Sequence, residues 1–233
     1  MLSDIFIVPS AIGNDYGVFN MNQRFDQLLD TLKSIKKYNP TADIIVADCS
    51  YDLIPEDMMF QLGPYVVQFL SLHKFEMIQR YRNHVSDPNR FSQKTTGEML
   101  ATFEALKIVK QLNKSYRRVF KLAGRYQLND TFAQRDYDKH VGEIVISKPQ
   151  LWHGRNHYFT RLYSFDFTHL DFFINTFDEI CSYTTNLIET KGIMDILEYS
   201  IWDRLNKSNL TIIETDDLGV EGLYGQNAAF TKD

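Results

Sequence analysis

Two short, unbroken apolar runs, separated by one amphipathic helical stretch, constrain this chain most. Ile5-Phe6-Ile7-Val8 is halted by Pro9 and Gly13, and Ala42–Ala47 holds the run Asp-Ile-Ile-Val-Ala that ends at Asp48. An unbroken run has no polar face to give to water, so such strands are buried on both sides, as in a parallel sheet clad by helices. Between them, from Arg24 to Lys37, Phe25, Leu28, Leu29, Leu32 and Ile35 recur at helical spacing, and Asn39-Pro40 stops the helix. The opening therefore reads β-α-β.

The alternation continues. Pro55–Leu62 reads as a short helix and Tyr65–Leu70 as a third strand. Ser86–Thr96, with Pro88 and Asn89, reads as a polar loop ahead of a helix over Gly97–Leu112, with Met99, Leu100, Phe103, Leu106 and Val109 inward. Further strands are expected at Arg118–Leu122, Glu143–Ser147, Tyr158–Phe165 and Thr211–Glu214, and helices at Phe172–Glu189 and Ile193–Leu205. Asp130–His140 is expected to be irregular or briefly helical. No repeat, low-complexity tract or linker interrupts the 233 residues, so residues 1–233 read as one domain with an open, mostly parallel sheet and helices on both faces. Such sheets bind ligands beyond the carboxyl ends of their strands.

Composition narrows the function. With 17 Phe and 13 Tyr among 44% hydrophobic residues, the chain has ample material for a core and is not disordered. A net charge of -5 gives no general reason to hold a polyanion, which excludes nucleic acid as a partner and requires any nucleotide site to be locally basic. Cys49 and Cys181 lack a second Cys or a His at zinc-finger spacing and are expected as reduced core thiols. The start has no basic n-region and nothing as long as a membrane span, so a cytoplasmic protein without an integral membrane segment is expected.

Three segments carry a resemblance: Arg24-Phe-Asp-Gln-Leu-Leu-Asp-Thr-Leu-Lys-Ser-Ile35 with Asp48, Lys121-Leu-Ala-Gly-Arg-Tyr126, and Leu218-Gly-Val-Glu-Gly222. Together they resemble landmarks of GT-A glycosyltransferases. The middle block is similar to one in little-characterised bacterial and viral transferases, where Gly-Arg-Tyr stands at the strand end that usually carries Asp-x-Asp. The resemblance implies a GT-A-like, Rossmann-like α/β fold that transfers a sugar from a nucleotide sugar to a hydroxyl of a glycan or related acceptor. In that family the Asp-x-Asp carboxylates hold a divalent cation that neutralises the departing diphosphate. The resemblance implies that Lys121 or Arg125, within a donor block that includes Gly124 and Tyr126, supplies that charge directly. The alternatives are a structural salt bridge for Arg125 and a solvated Lys121. Asp136-Tyr137-Asp138 matches Asp-x-Asp as letters but lies in a polar stretch. No cofactor is assigned, and a Mn or Mg ion is left open.

Other candidates each have a structural alternative. Asp48 resembles the acid that contacts the nucleoside, or is a turn acid. Pro9, Ser10 and Ala11 follow the first strand, where backbone lines the nucleoside pocket in this fold. Arg24 stands at a helix start, where the dipole does not favour a cation, which points to an acid or phosphate partner; an ordinary surface arginine is the alternative. Lys94 leads a Thr-Thr-Gly-Glu stretch and is placed at phosphate, while Thr96 and Glu98 read as a helix cap and a first-turn acid. Trp152, His153 and Arg161 are expected on the acceptor side, where a ring offers a sugar a dry platform and His or Arg binds hydroxyls; Trp152 in the core is the alternative. Glu198 is an acid among Leu197, Ile201 and Trp202 and is the candidate general base, or else a solvated partner of Arg204. A nucleotidyltransferase-like enzyme and a noncatalytic sugar- or nucleotide-binding module are the competing functions. The first would bring a Gly-rich basic loop after the first strand, and Ala11–Gly17 has no Lys or Arg.

Overall fold

The two unbroken runs lie side by side as β1 (Ile5–Ser10) and β2 (Asp43–Asp48), paired in parallel with Ser10 level with Asp48. The computed structural model describes residues 2–14, 17–79, 91–134, 137–191, 195–223 and 229–232, and of residues 91–95 and 133–134 the backbone alone. Helix α1 (Met21–Tyr38) joins the two strands and begins three residues before the apolar periodicity, because Asn20 and Gln23 close a reciprocal capping box with both bonds at 3.0 Å.

In chain order there follow α2 (Glu56–Leu62), β3 (Gln68–Ser71), α3 (Phe91–Gln111), β4 (Arg118–Leu122), β5 (Tyr126–Leu128), α4 (Asp130–Gln134), β6 (Glu143–Ser147), β7 (Gln150–Trp152), β8 (Arg155–His157), β9 (Leu162–Asp166), α5 (Leu170–Lys191), α6 (Leu197–Asn206), β10 (Thr211–Thr215), β11 (Val220–Leu223) and β12 (Phe230–Lys232). Seven strands form the main sheet in the order β10-β6-β9-β4-β1-β2-β3, in which β9 runs against β4 and β6 while the other pairings are parallel. This is the expected mostly parallel α/β sheet. One face is packed by α3, α5 and α6 around Leu106, Phe173 and Phe177, and the other by α1 and the small β5-β11-β12 sheet around Phe6, Leu28 and Phe120.

Two expectations are corrected. The strand expected at Tyr158–Phe165 is β9 and starts only at Leu162. The polar stretch before Gly97 is not a loop up to Thr96: α3 begins at Phe91, so Thr96 and Glu98 lie inside the helix and are neither cap nor first-turn acid. Thr96 is fully buried, and a side chain at Gly97 would put its Cβ 2.7 Å from Cys49 Sγ. Helix α3 thus continues because this turn packs against the end of β2, a tertiary contact that outweighs local polarity. Among the described residues no helix is long and apolar enough to cross a membrane.

Candidate functional site

A solvent-open cleft lies beyond the carboxyl ends of β1, β2 and β4, where sheets of this kind take their ligands. Its lining includes Pro9, Ser10, Ala11, Arg24, Cys49, Glu98, Gly124 and Arg125. The segment after β1 is built by two buried side chains. Arg24, 5% exposed, donates from Nε to the Phe19 carbonyl at 2.9 Å and from Nη1 to the Ala11 carbonyl at 3.1 Å, tying that segment to α1. The Asp48 carboxylate accepts from Ser10 Oγ at 2.7 Å, Ile12 N at 3.1 Å and Ser50 N at 2.9 Å. These bonds offset the cost of burying it completely. Asp48 therefore stands behind the cleft wall, and its bonds to Ser10 and Ile12 shape that wall.

The turn between β4 and β5 forms the opposite rim. Gly124 N donates to the Pro9 carbonyl at 3.0 Å, and a Cβ there would lie 2.9 Å from that oxygen, so glycine lets the turn rest on the end of β1. The contact carries Arg125 to the cleft. Its guanidinium makes no hydrogen bond or ion pair among the described residues, so the structural salt bridge weighed for it is not formed there. Tyr126 turns the other way, 4% exposed in the core, and its ring is not on the cleft as the donor block implied. Cys49 and Cys181 are buried free thiols, and burial first, then neighbouring carboxylates, hold both above the ordinary thiol range.

Under the cleft lies a cluster of charge. Lys121, 1% exposed, is not solvated: its ammonium pairs with Glu98 and donates to the Thr160 carbonyl. Its charge is thereby countered by Glu98 in this structure. Thr160 Oγ1 lies 3.1 Å from Glu98 Oε1 and 3.4 Å from Glu198 Oε1. The Glu198 Oε2 is closed off from solvent and has no partner among the described residues. Burial first, then the Glu98 carboxylate, push the Glu198 carboxyl up to about 7. It is not the solvated partner of Arg204, whose Nε faces Glu179 at 3.4 Å.

That shift sets a pH dependence of stability. The folded Glu198 carboxyl keeps its proton up to about 7, whereas an unfolded one releases it near the ordinary 4.5. In that window the folded state binds more protons, so stability falls as pH rises through it. Glu198→Gln has no charge to bury. Its stability relative to the parent is expected to rise by on the order of a few kcal/mol between about pH 4 and pH 8. Urea unfolding at the two pH values checks this, and a difference independent of pH counts against it.

The residues expected at the acceptor are held elsewhere than the cleft lining. His153, at φ 48°, and Gly154, at φ 76°, form the tight turn of the β7–β8 hairpin, so His153 is an exposed turn residue. Trp152 is 40% exposed rather than in the core. Its carbonyl accepts from Tyr199 Oη at 2.9 Å, and Arg155 lies 4.2 Å over the Tyr199 ring while pairing with Asp195 at 3.0 Å. The hairpin is thus clamped to the helix that carries Glu198. Arg161 stacks 4.4 Å over Phe159 and donates from Nη1 to Thr231 Oγ1 at 2.8 Å, fastening β12 beside the β4 end. The Lys94 backbone is in α3; its side chain, like Asp136, lies outside the described residues. Asp138 is exposed and pairs with Arg117.

Glu98 and Cys49 were not singled out for the site by sequence. A signal for Glu98 existed, since Glu98, Thr102, Ala105 and Val109 share one helical stripe whose last three members are buried. Among the described residues no three His, Cys, Asp or Glu converge as metal ligands, and the carboxylates nearest the cleft are taken, Glu98 by Lys121 and Thr160, Asp48 by its hydrogen bonds. Among the described residues the donor set does not fit a divalent cation.

No family model and no curated protein matches the chain. Solved structures do. A galactosyltransferase, LgtC, in complex with donor and acceptor sugar analogues is similar over 90% of this chain and 72% of its own, at 12% identity and a TM-score of 0.51. A nucleoside-diphosphate-sugar pyrophosphorylase from Vibrio cholerae RC9 is similar over 93% of both chains, at 12% identity and a TM-score of 0.50. At such identities the likeness is one of fold, and this chain has the α/β fold of the GT-A type.

Proposed function

We propose that the chain transfers a sugar from a nucleotide-sugar donor to a hydroxyl of a glycan or related acceptor. The observation that carries this reading is Arg125, brought to the strand-end cleft by the Gly124 contact, its guanidinium without a hydrogen-bonding partner among the described residues. A guanidinium so placed matches the paired oxygens of a diphosphate in a bidentate fork and offsets the charge that develops as the diphosphate leaves. Pro9, Ser10 and Ala11 supply the wall, with Arg24 and Asp48 holding it. Glu198, with a carboxyl near neutral, suits a group that takes up the acceptor proton. The donor and acceptor sugar analogues bound by LgtC are in keeping with this reading.

The pyrophosphorylase neighbour keeps nucleotidyl transfer as the second reading, since fold likeness alone does not separate the two. The absence of Lys or Arg from Ala11–Gly17 favours glycosyl transfer.

The test is a thermal-shift screen of nucleotide sugars, with and without EDTA, followed by assay of donor hydrolysis. A ligand that binds only the folded state raises Tm, and the rise is expected to persist in EDTA because Arg125 rather than a cation meets the diphosphate. Loss of the shift in EDTA with recovery in Mn²⁺ overturns the metal-independent donor site. Binding without hydrolysis or transfer indicates a noncatalytic module, and formation of a nucleotide sugar from a nucleoside triphosphate and a sugar phosphate indicates nucleotidyl transfer.

A further inference from the structure

Glu198 does not line the donor cleft; Glu98 does. The two carboxylates are joined through the Thr160 hydroxyl, whose oxygen lies 3.1 Å from Glu98 Oε1 and 3.4 Å from Glu198 Oε1. Lys121, wholly buried on β4, pairs with Glu98 and donates to the Thr160 carbonyl, which puts a positive charge beside both groups. A lone buried acid would need no such connection. Thr160, 4% exposed, has one proton to give, and the two acids on either side of it are its side-chain partners.

We propose that Glu98 is the carboxylate that meets the acceptor hydroxyl, and that Thr160 and Glu198 form the relay by which the proton leaves it. The inference rests on the glycosyl-transfer reading above. As the acceptor oxygen bonds to the sugar and the bond to the diphosphate breaks, the hydroxyl proton passes to Glu98. Glu98 gives a proton to Thr160 Oγ1, and Thr160 gives its own proton to Glu198 Oε1. Charge balances throughout: the acceptor loses one proton, Glu198 gains one, and the diphosphate leaves with the electron pair of the broken bond. Glu98 and Thr160 end as they began.

The relay requires an ionised Glu198 at the start of each turnover. Burial and the Glu98 carboxylate oppose that ionisation, and Lys121 and Thr160 favour it. Among the described residues the neighbouring elements add no further cation to this balance: from β8, Arg155 is paired with Asp195 and Asp203, and His157 packs on Trp152 and Tyr199; from α5, Glu179 faces Arg204. The rate is therefore expected to fall on the acid side of about pH 7, where Glu198 holds its proton.

The experiment measures donor binding by calorimetry and kcat against pH for Glu98→Gln, Glu198→Gln, Thr160→Val and Thr160→Ser. Glu98→Gln is expected to lower kcat roughly 100-fold or more at every pH with donor affinity within about threefold of the parent. Glu198→Gln and Thr160→Val are expected to lower kcat roughly tenfold or more and to abolish the acid limb, while Thr160→Ser, which keeps the hydroxyl, restores both rate and limb. Thr160→Val and Thr160→Ser leave the buried charges in place, so the pair remains decisive if Glu98→Gln does not fold. An acid limb that survives in Glu198→Gln, or Thr160→Val turning over like the parent, overturns the relay while the donor site stands. No nucleotide sugar bound by the parent removes the glycosyl-transfer reading itself.

Discussion

Arg125→Ala is expected to weaken nucleoside-diphosphate binding roughly 10- to 100-fold while leaving Tm unchanged. The estimate follows from losing one charge-assisted bidentate contact, about 1.5–3 kcal/mol, where each 1.4 kcal/mol is about tenfold in affinity. The unchanged Tm follows because the guanidinium makes no hydrogen bond or ion pair among the described residues, so its removal strands nothing in the fold. Arg125→Lys should recover only part of the affinity, since an ammonium is a point charge and cannot fork across two oxygens. Calorimetric titration in EDTA with nucleoside diphosphate, and with the nucleoside alone as the control that should not respond, decides it. Equal diphosphate affinity in the parent and Arg125→Ala removes Arg125 from the site.

Gly219→Ala is expected to destabilise the protein by about 3 kcal/mol or more, enough to unfold a marginal domain. Gly219 has φ 77°, and a Cβ would lie 2.3 Å from the Phe132 Cα and 2.4 Å from its N, backbone atoms that cannot step aside. Phe132 is 5% exposed and packs against Phe6, Phe120 and Tyr137, so moving it disturbs the core on the α1 face of the sheet. Gly154→Ala separates strain from collision: Gly154 has nearly the same angle, φ 76°, with nothing within 4 Å of its Cβ. That variant should cost about 1–2 kcal/mol, the penalty of the left-handed backbone alone. Urea midpoints for the two variants check the contrast, and equal losses refute the steric account.

The Gly219 geometry also explains why the late Leu218-Gly-Val-Glu-Gly222 block belongs with the Gly-Arg-Tyr block. Strand β11 pairs antiparallel with β5, setting Gly222 opposite Tyr126, where a Cβ would lie 2.6 Å from the Arg125 carbonyl. Two segments far apart in sequence are one layer that braces the Arg125 turn. Neither block reveals this by itself, because β5 and β11 are three and four residues long and too short to show a period. The same brevity hid β7, β8 and β12.

The sequence alone determined the elements whose burial is two-sided or striped. Arg118–Leu122 and Glu143–Ser147 are strands with the boundaries read from their apolar runs, and α1 and α5 follow their helical stripes. These patterns are local records of which side faces water, and they sufficed for the parallel sheet and for the cleft beyond its strand ends. Glu198 was also legible, because an acid amid apolar helix residues is conspicuous without any partner in view. What surrounds these elements was decided by the tertiary structure. The start of α3 was misplaced because packing on Cys49 holds its early turns, and with that start went the meaning of Glu98, which is a cleft acid and not a cap neighbour. Asp48 and Lys121 carry charges that read as ligand-binding in one dimension and are answered in three, by Ser10, Ile12 and Ser50 and by Glu98 and Thr160. A charge in a sequence carries no record of its counter-charge; only the fold brings residues 98, 121, 160 and 198 within hydrogen-bonding reach, and that proximity sets which of them is neutralised and which keeps its proton.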